Sequence, residues 1–250
     1  MRDTLIPFRA PGFLAARWSN VALLSWAVDG DLLEPLLPSG LEIDRWGGSP
    51  YISLVGLWFD DVRVFGIPSP LRRYEEVNLR FYVRRASRSG AAAPGVVFVR
   101  QLVPHRVTAW VARLTYREPF SAVSMRHRFD DPDSPDGQCR VEYGWHSGDN
   151  QHSFSLVSDT APAYAEPGSL EEFLTARYWG YNGKPGGSTR AYGLKRPPWL
   201  IRPASAWQID CHAVSVYGPQ FGRIMSGAPS SALLASGSSV KLNPPKRLSG

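Results

Sequence analysis

A chain of 250 residues can bury a large core, and a hydrophobic content of 43% with 9 Trp, 10 Tyr and 11 Phe excludes an intrinsically disordered protein. The 23 glycines and 22 prolines argue for many turns and short strands and against a helical bundle. The formal charge of +6 is scattered; half of it comes from Lys241, Lys246 and Arg247, and the clusters Arg72–Arg73 and Arg84–Arg85–Arg88 read as solvated turns, so a nucleic-acid surface is not expected.

One domain is expected over residues 1–250, with a core over about 12–242 and a flexible C-terminal tail. The beginning of the chain shows no basic segment followed by an apolar run and a small-residue cleavage site, and no run of about 20 apolar residues exists. A cytoplasmic protein without a membrane span is therefore expected. Cys139 and Cys211 read as two reduced thiols, with a single bridge as the alternative.

In chain order, Met1 to Gly12 is a lead-in with two prolines. Ala15 to Val28 reads as an early strand, and Asp31 as the cap of a short helix over Leu32 to Leu37. Leu41 to Asp44 and Tyr51 to Phe59 read as strands, the second rich in β-branched and aromatic residues. Gly66 to Arg73 is a loop. Glu76 to Arg84 alternates cleanly: Val77, Leu79, Phe81 and Val83 share one face, and Glu76, Asn78, Arg80, Tyr82 and Arg84 the other. Ser87 to Pro94 is a turn, followed by strands over Gly95 to Val103 and Val107 to Tyr116, whose short spacing favours antiparallel neighbours. Pro119 opens an element reaching Met125, read as a short helix. Asp130 to Gly137 is an acidic tip, and Cys139 to Trp145 with Ser153 to Val157 forms a hairpin. Ser169 and Glu172 match a capping box for a helix ending near Tyr178 to Gly180. Ala206 to Val216 reads as a late strand, and Ala232 to Leu234 closes the sheet. The pattern predicts a mostly β (α+β) fold: a closed or highly curved antiparallel sheet with a few peripheral helices.

The polar face of Glu76, Asn78, Arg80 and Tyr82 carries the candidate site. It faces either solvent or the inside of a barrel, where its charges would need partners. Arg113 lies among Ala109 and Val111 in the strand reading and is a partner for Glu76. Arginine facing a pocket suits a carboxylate ligand held bidentately. Among the five histidines there is no metal-ligand spacing. A nucleophile elbow, a phosphate loop and a dinucleotide fingerprint are also missing. Neither metal nor cofactor is expected.

Several motifs together resemble the YqjF-like family: the stretch from Trp18 to Asp44, Val77-Asn-Leu-Arg-Phe-Tyr-Val83, Pro94-Gly-Val-Val-Phe98, Ala112-Arg113 with Pro119-Phe120, Ser169 through Tyr178, and Pro197-Pro-Trp-Leu200. That family resembles the acetoacetate decarboxylase superfamily. The resemblance implies a cone-like, highly curved antiparallel sheet enclosing a pocket, with Glu76 and Arg113 turned inward. The acidic residue near that family's pocket corresponds to Glu75 or Glu76, the register being open by one. In the decarboxylases a pocket lysine forms a Schiff base with a β-keto acid, and the matching place here, Pro119-Phe120-Ser121, has none. The chain's lysines, Lys184, Lys195, Lys241 and Lys246, fall elsewhere.

Three functions follow as expectations. The first is a small-molecule binding protein or enzyme with an internal polar pocket for an organic acid, held by Arg113, Arg80, Asn78, Tyr82 and Tyr116. The second is a lysine-independent lyase, isomerase or hydrolase with Glu76 as acid or base. The third is a structural or interaction protein whose pocket has collapsed. Related folds oligomerise, so a self-associating dimer is among the expected forms, with no sequence signal fixing the count.

Overall fold

The computed structural model describes residues 13–85, 93–130 and 138–248. The chain runs through β1 (Leu14–Ala27), β2 (Tyr51–Val64), β3 (Tyr74–Arg85), β4 (Ala93–Val103), helix α1 (Arg106–Tyr116), β5 (Phe120–Ala122), β6 (Met125–Asp130), β7 (Cys139–Ser147) and β8 (Asn150–Ser158). It continues with helix α2 (Leu170–Thr175), β9 (Trp179–Asn182), β10 (Arg190–Lys195), β11 (Leu200–Pro203), β12 (Ala206–Asp210), helices α3 (Ala213–Tyr217) and α4 (Pro219–Met225), β13 (Ser231–Ala235) and β14 (Ser238–Leu242). Two-residue strands at Glu42–Ile43, Ile67–Pro68, Ala163–Tyr164 and Lys246–Arg247 pair onto this framework.

Seven strands close into a barrel in the order β1–β14–β10–β9–β4–β3–β2 and back to β1. Neighbours are antiparallel except β4 and β9, which run parallel. A second antiparallel sheet, β12–β8–β7–β6, packs on the outside. This covering explains why both faces of β3 are buried. Val77, Leu79, Phe81 and Val83 point outward and join Trp145, Phe154 and Leu156 of the second sheet in one core. Each such apolar side chain stabilises the fold by roughly 1.5–3 kcal/mol. Glu76, Asn78 and Arg80 alternate with them and point inward.

The architecture is the mostly β, highly curved antiparallel barrel with few peripheral helices that the pattern predicts. Individual elements differ. Val107 to Tyr116 is not a strand but α1, because its apolar residues Val107, Trp110, Val111 and Leu114 recur at helical spacing while Ala109 and Tyr116 are buried on the opposite side. Pro119 opens no helix; β5 pairs parallel with β4 and β6 enters the second sheet. Leu32 to Leu37 forms two 3-10 turns, and the carboxylate that caps the first is Asp29, accepting from the Asp31 N–H at 3.1 Å. The late strand breaks at Cys211–His212, where α3 begins. Beyond β14, the expected tail pairs Lys246–Arg247 onto β10 at Arg190 and Ala191. The lead-in Met1 to Gly12, most of the turn Ser87 to Pro94 and nearly all of the tip Asp130 to Gly137 lie outside the described residues. No helix among the described residues is long and apolar enough to cross a membrane.

Helix α2 is short and depends on its cap. The Ser169 hydroxyl accepts from the Glu172 N–H at 3.1 Å, and the Glu172 carboxylate accepts from the Gly168 N–H at 2.6 Å. The helix stops at Thr175, earlier than the sequence suggests, and its last carbonyls are used by arginines described below. Ser169→Ala is expected to cost about 1 kcal/mol in urea unfolding. An unchanged midpoint would show that the cap contributes nothing.

Candidate functional site

The barrel interior and the inner side of α1 enclose a cavity of about 350 Å³. That falls within the size range of small-molecule pockets and equals the liquid volume of roughly a dozen water molecules. Its walls are mostly apolar, with Trp18, Leu57, Phe59, Phe98, Phe120 and Trp199 among them.

One part of the wall carries two carboxyl groups. Glu76 projects inward from β3 and is 7% exposed; Glu118, between α1 and β5, is 4% exposed. The Gln101 amide on β4 donates to Glu118 Oε2 at 2.7 Å, and the Tyr192 hydroxyl on β10 donates to Oε1 at 2.8 Å. Tyr192 reaches this position because Gly180 on β9 leaves room: a Cβ there would lie 2.2 Å from the Tyr192 ring. Glu76 Oε1 accepts from the Asn78 amide at 2.9 Å. Burial pushes the Glu118 carboxyl up to about 8 against the pull of Gln101 and Tyr192, with the charge of Glu76 adding to the rise. Burial likewise raises Glu76 to about 7, opposed by Asn78 and Arg80.

The two partners of Glu118 differ in what they can do. A side-chain amide N–H can only donate, so the oxygen facing Gln101 is an acceptor in both charge states. The Tyr192 hydroxyl, by contrast, can donate to the carboxylate or accept from the protonated acid. Glu118 can give or take a proton near neutral pH, while burial and the neighbouring Glu118 keep the Tyr192 hydroxyl protonated.

Two guanidinium groups supply the opposite charge. Arg80 projects from β3 and donates to the Leu174 carbonyl at 3.2 Å. Arg196 follows β10, donates to the Thr175 carbonyl and to the Pro197 carbonyl at 3.1 Å, and stacks 3.8 Å over the Trp199 ring. Burial brings Arg196 down to about 10, with Tyr178 opposing and Arg80 adding to the fall. A third arginine closes the structure nearby: Arg177 is ion-paired with Asp44 and lies over the Phe173 ring at 3.9 Å.

Five cavity-lining residues each have a buried polar atom without a hydrogen-bond partner among the described residues: Trp18 Nε1, Asn78 Oδ1, Arg80 Nε, Tyr116 Oη and Arg196 Nε. Unsatisfied buried groups cost about 1–3 kcal/mol each, so their convergence on one space is informative. Among the described residues no group of three or more His, Cys, Asp or Glu is placed to hold a metal ion.

Of the residues singled out from the sequence, Glu76, Asn78, Arg80 and Tyr116 line this cavity. Tyr82 does not. The Tyr82 hydroxyl is bound to Ser53 at 2.6 Å while its ring packs on Phe173. Arg113 does not either: it is exposed on α1 and donates to the Phe120 carbonyl at 2.6 Å, a consequence of the helix replacing the expected strand. Glu75 faces the other way and meets His127 at 2.6 Å, which fixes the inward acid as Glu76. Sequence reasoning missed Glu118, Gln101, Tyr192 and Arg196. Gln101 could have been found from its place in a strand that is apolar apart from Arg100; the others lie in segments whose geometry depends on the closed barrel. Phe120 occupies the wall where the decarboxylase resemblance puts a lysine, and none of the four lysines lines the cavity.

Solved structures share this architecture at low identity. An acetoacetate decarboxylase from Legionella pneumophila subsp. pneumophila str. Philadelphia 1 superposes with a TM-score of 0.66 at 14% identity, covering 98% of this chain and 93% of that one. An acetoacetate decarboxylase-like enzyme from Sphingomonas wittichii RW1 gives 0.64 at 10% identity, over 96% and 94%. The enduracididine biosynthesis enzyme MppR, complexed with pyruvate, gives 0.63 at 13% identity, over 98% and 93%. In sequence, the chain is 27% identical over 195 residues to the uncharacterized protein YqjF of Bacillus subtilis (strain 168), covering 76% of this chain and 75% of that protein. Residues 15–239 match DUF2071, described as an uncharacterized conserved protein (COG2071), and the chain belongs to that family.

Proposed function

We propose that the barrel binds a small amphipathic organic acid, with its carboxylate at Arg80 and Arg196 and its body along the apolar wall. The observation that carries this reading is that five residues lining one cavity each hold a buried polar atom with no hydrogen-bond partner among the described residues. Guanidinium groups such as Arg80 and Arg196, with no ion pair among the described residues, are suited to a carboxylate from outside. Asn78 Oδ1 and Tyr116 Oη offer an acceptor and a hydroxyl for a second polar group on the ligand. MppR, with its bound pyruvate, is a related fold that holds a small organic acid.

A second reading adds chemistry to binding: a lyase, isomerase or hydrolase working without a Schiff base. It is favoured by the Glu76–Glu118 pair, whose carboxyls are raised to about 7 and about 8. Groups in that range serve as general acid and base at neutral pH, and their mutual repulsion favours one shared proton over two charges.

Calorimetric titration with hexanoate, and with hexanol as its uncharged counterpart, tests the binding reading. Hexanoate is expected to saturate one site, with hexanol at least about tenfold weaker. Arg196→Met and Arg80→Met are each expected to weaken hexanoate by at least about tenfold while the circular dichroism spectrum is retained. Equal affinity for acid and alcohol, or failure of folded protein to bind any linear carboxylate from pyruvate to decanoate, would remove the proposal.

A further inference from the structure

Helix α1 has two sides with different tasks. Thr108, Ala112, Thr115 and Tyr116 face the cavity. Trp110 and Leu114 point away from it, 62% and 60% exposed, and Val107 and Val111 are exposed while also lining the cavity edge. At 3.6 residues per turn these four form one continuous outward stripe. The rim continues across the cavity mouth. Phe13 packs edge-on against Phe65 at 5.0 Å and against Tyr116 at 6.2 Å, and Phe65 and Ile67 are about as exposed as Trp110. The combined apolar area is on the order of 500 Å², near the top of what monomeric proteins expose in one patch.

The charge beside this stripe has a single sign. Arg106, Arg113 and Arg117 are exposed along the edge of α1 away from the cavity, and none has an ion pair among the described residues. Glu118, the acid next in sequence, is buried inside. Two occupants fit an apolar stripe: a second copy of the chain or a lipid surface. A two-fold pairing that sets the stripes antiparallel would put the arginine edges of both copies on the same side, six like charges together, and one that sets them parallel would put the edges on opposite sides with no acid of α1 to meet either. An anionic bilayer surface offers the opposite charge to the arginines and an apolar layer to Trp110 and Leu114.

We propose that the outer face of α1, with Phe65 and Ile67, docks on an anionic lipid surface, setting the cavity mouth against it. The inference is independent of the ligand reading above, because docking needs no occupant in the cavity. An amphipathic acid would then enter along Val107 and Val111 without crossing bulk water.

The test is flotation of the full chain with vesicles of phosphatidylcholine alone and of phosphatidylcholine with phosphatidylglycerol, alongside sedimentation without lipid. Partition onto the anionic vesicles is expected to exceed that onto the neutral ones by at least about tenfold, and to fall as salt rises. Trp110→Glu with Leu114→Glu is expected to abolish it; Arg106→Glu should weaken it by at least about tenfold. These positions are exposed, so the fold is retained, and an unchanged melting temperature checks this. Equal partition onto both vesicles, partition indifferent to the Trp110 and Leu114 changes, or no partition at all would each overturn the proposal. Self-association lost in the same variants, without lipid binding, would assign the face to a second copy instead.

Discussion

Raising the pH from about 5 to about 9 is expected to cost this protein several kcal/mol of stability, and Glu76→Gln with Glu118→Gln to remove most of that loss. The sign follows from burial. Both carboxyls titrate near the model-compound value of 4.5 when unfolded and at about 7 and about 8 when folded. Above about pH 4.5 the folded state holds protons that the unfolded state has released. Stability is greatest with both groups protonated, falls as pH rises toward the folded values, and levels off above about pH 8. A shift of one unit corresponds to about 1.4 kcal/mol, so the two groups together account for several kcal/mol, less what their coupling shares. Glutamine keeps an acceptor oxygen for Gln101, can donate its amide N–H to the Tyr192 oxygen, and cannot ionise. Urea unfolding across the pH range reads the effect. A wild-type profile flat from about 5 to about 9, or an equal slope in the double variant, would show that the two acids are hydrated in solution.

Gly237→Ala is expected to destabilise by about 3 kcal/mol or more, against about 1 kcal/mol for Gly40→Ala. Both glycines have left-handed backbone, with φ of 69° and 78°. They differ in what surrounds them. Nothing lies within 4 Å of a Cβ built on Gly40, whereas a Cβ on Gly237 would stand 2.1 Å from the Trp18 carbonyl oxygen and 2.8 Å from Ser19 Cα. Those atoms belong to β1, which is paired with β2, β13 and β14 and cannot withdraw cheaply. The two variants share the conformational penalty, so their difference in unfolding free energy isolates the close approach. Equal losses would show that the turn between β13 and β14 relaxes away from β1.

Much of this fold is legible in the sequence because the signals are local. The alternation of Glu76 to Arg84 has a period of two over its whole length, and it placed Glu76, Asn78 and Arg80 together before any tertiary contact was known. The Ser169–Glu172 pair marked α2 for the same reason. The reading of Val107 to Tyr116 failed because β-branched and aromatic residues argued for a strand, while the spacing of Val107, Trp110, Val111 and Leu114 argued for a helix. That one error put Arg113 in the site, and the helix takes it out. Glu118 and Tyr192 were out of reach for a different reason. They are 74 residues apart in sequence, and their 2.8 Å contact exists only because β10 enters the barrel beside β9 and β14. Arg196 depends on the closed barrel too, since its partners are the last carbonyl of α2 and the ring of Trp199.

The barrel's hydrogen-bonded seams are unequal. The β9–β10 hairpin pairs in register with β4 at Gly180 and Tyr181 and with β14 at Leu194 and Lys195, and Lys246–Arg247 adds a short pairing at Arg190 and Ala191. The joint between β1 and β2, by contrast, runs from Leu14 to Ala27. A barrel stave fastened at so few points swings out at lower cost than its neighbours, and its amides exchange first. This stave carries Tyr192, and Arg196 follows directly after it. When it moves, Glu118 loses one of its two hydrogen-bond donors and meets water, so each opening event resets the proton content of the interior to that of the medium.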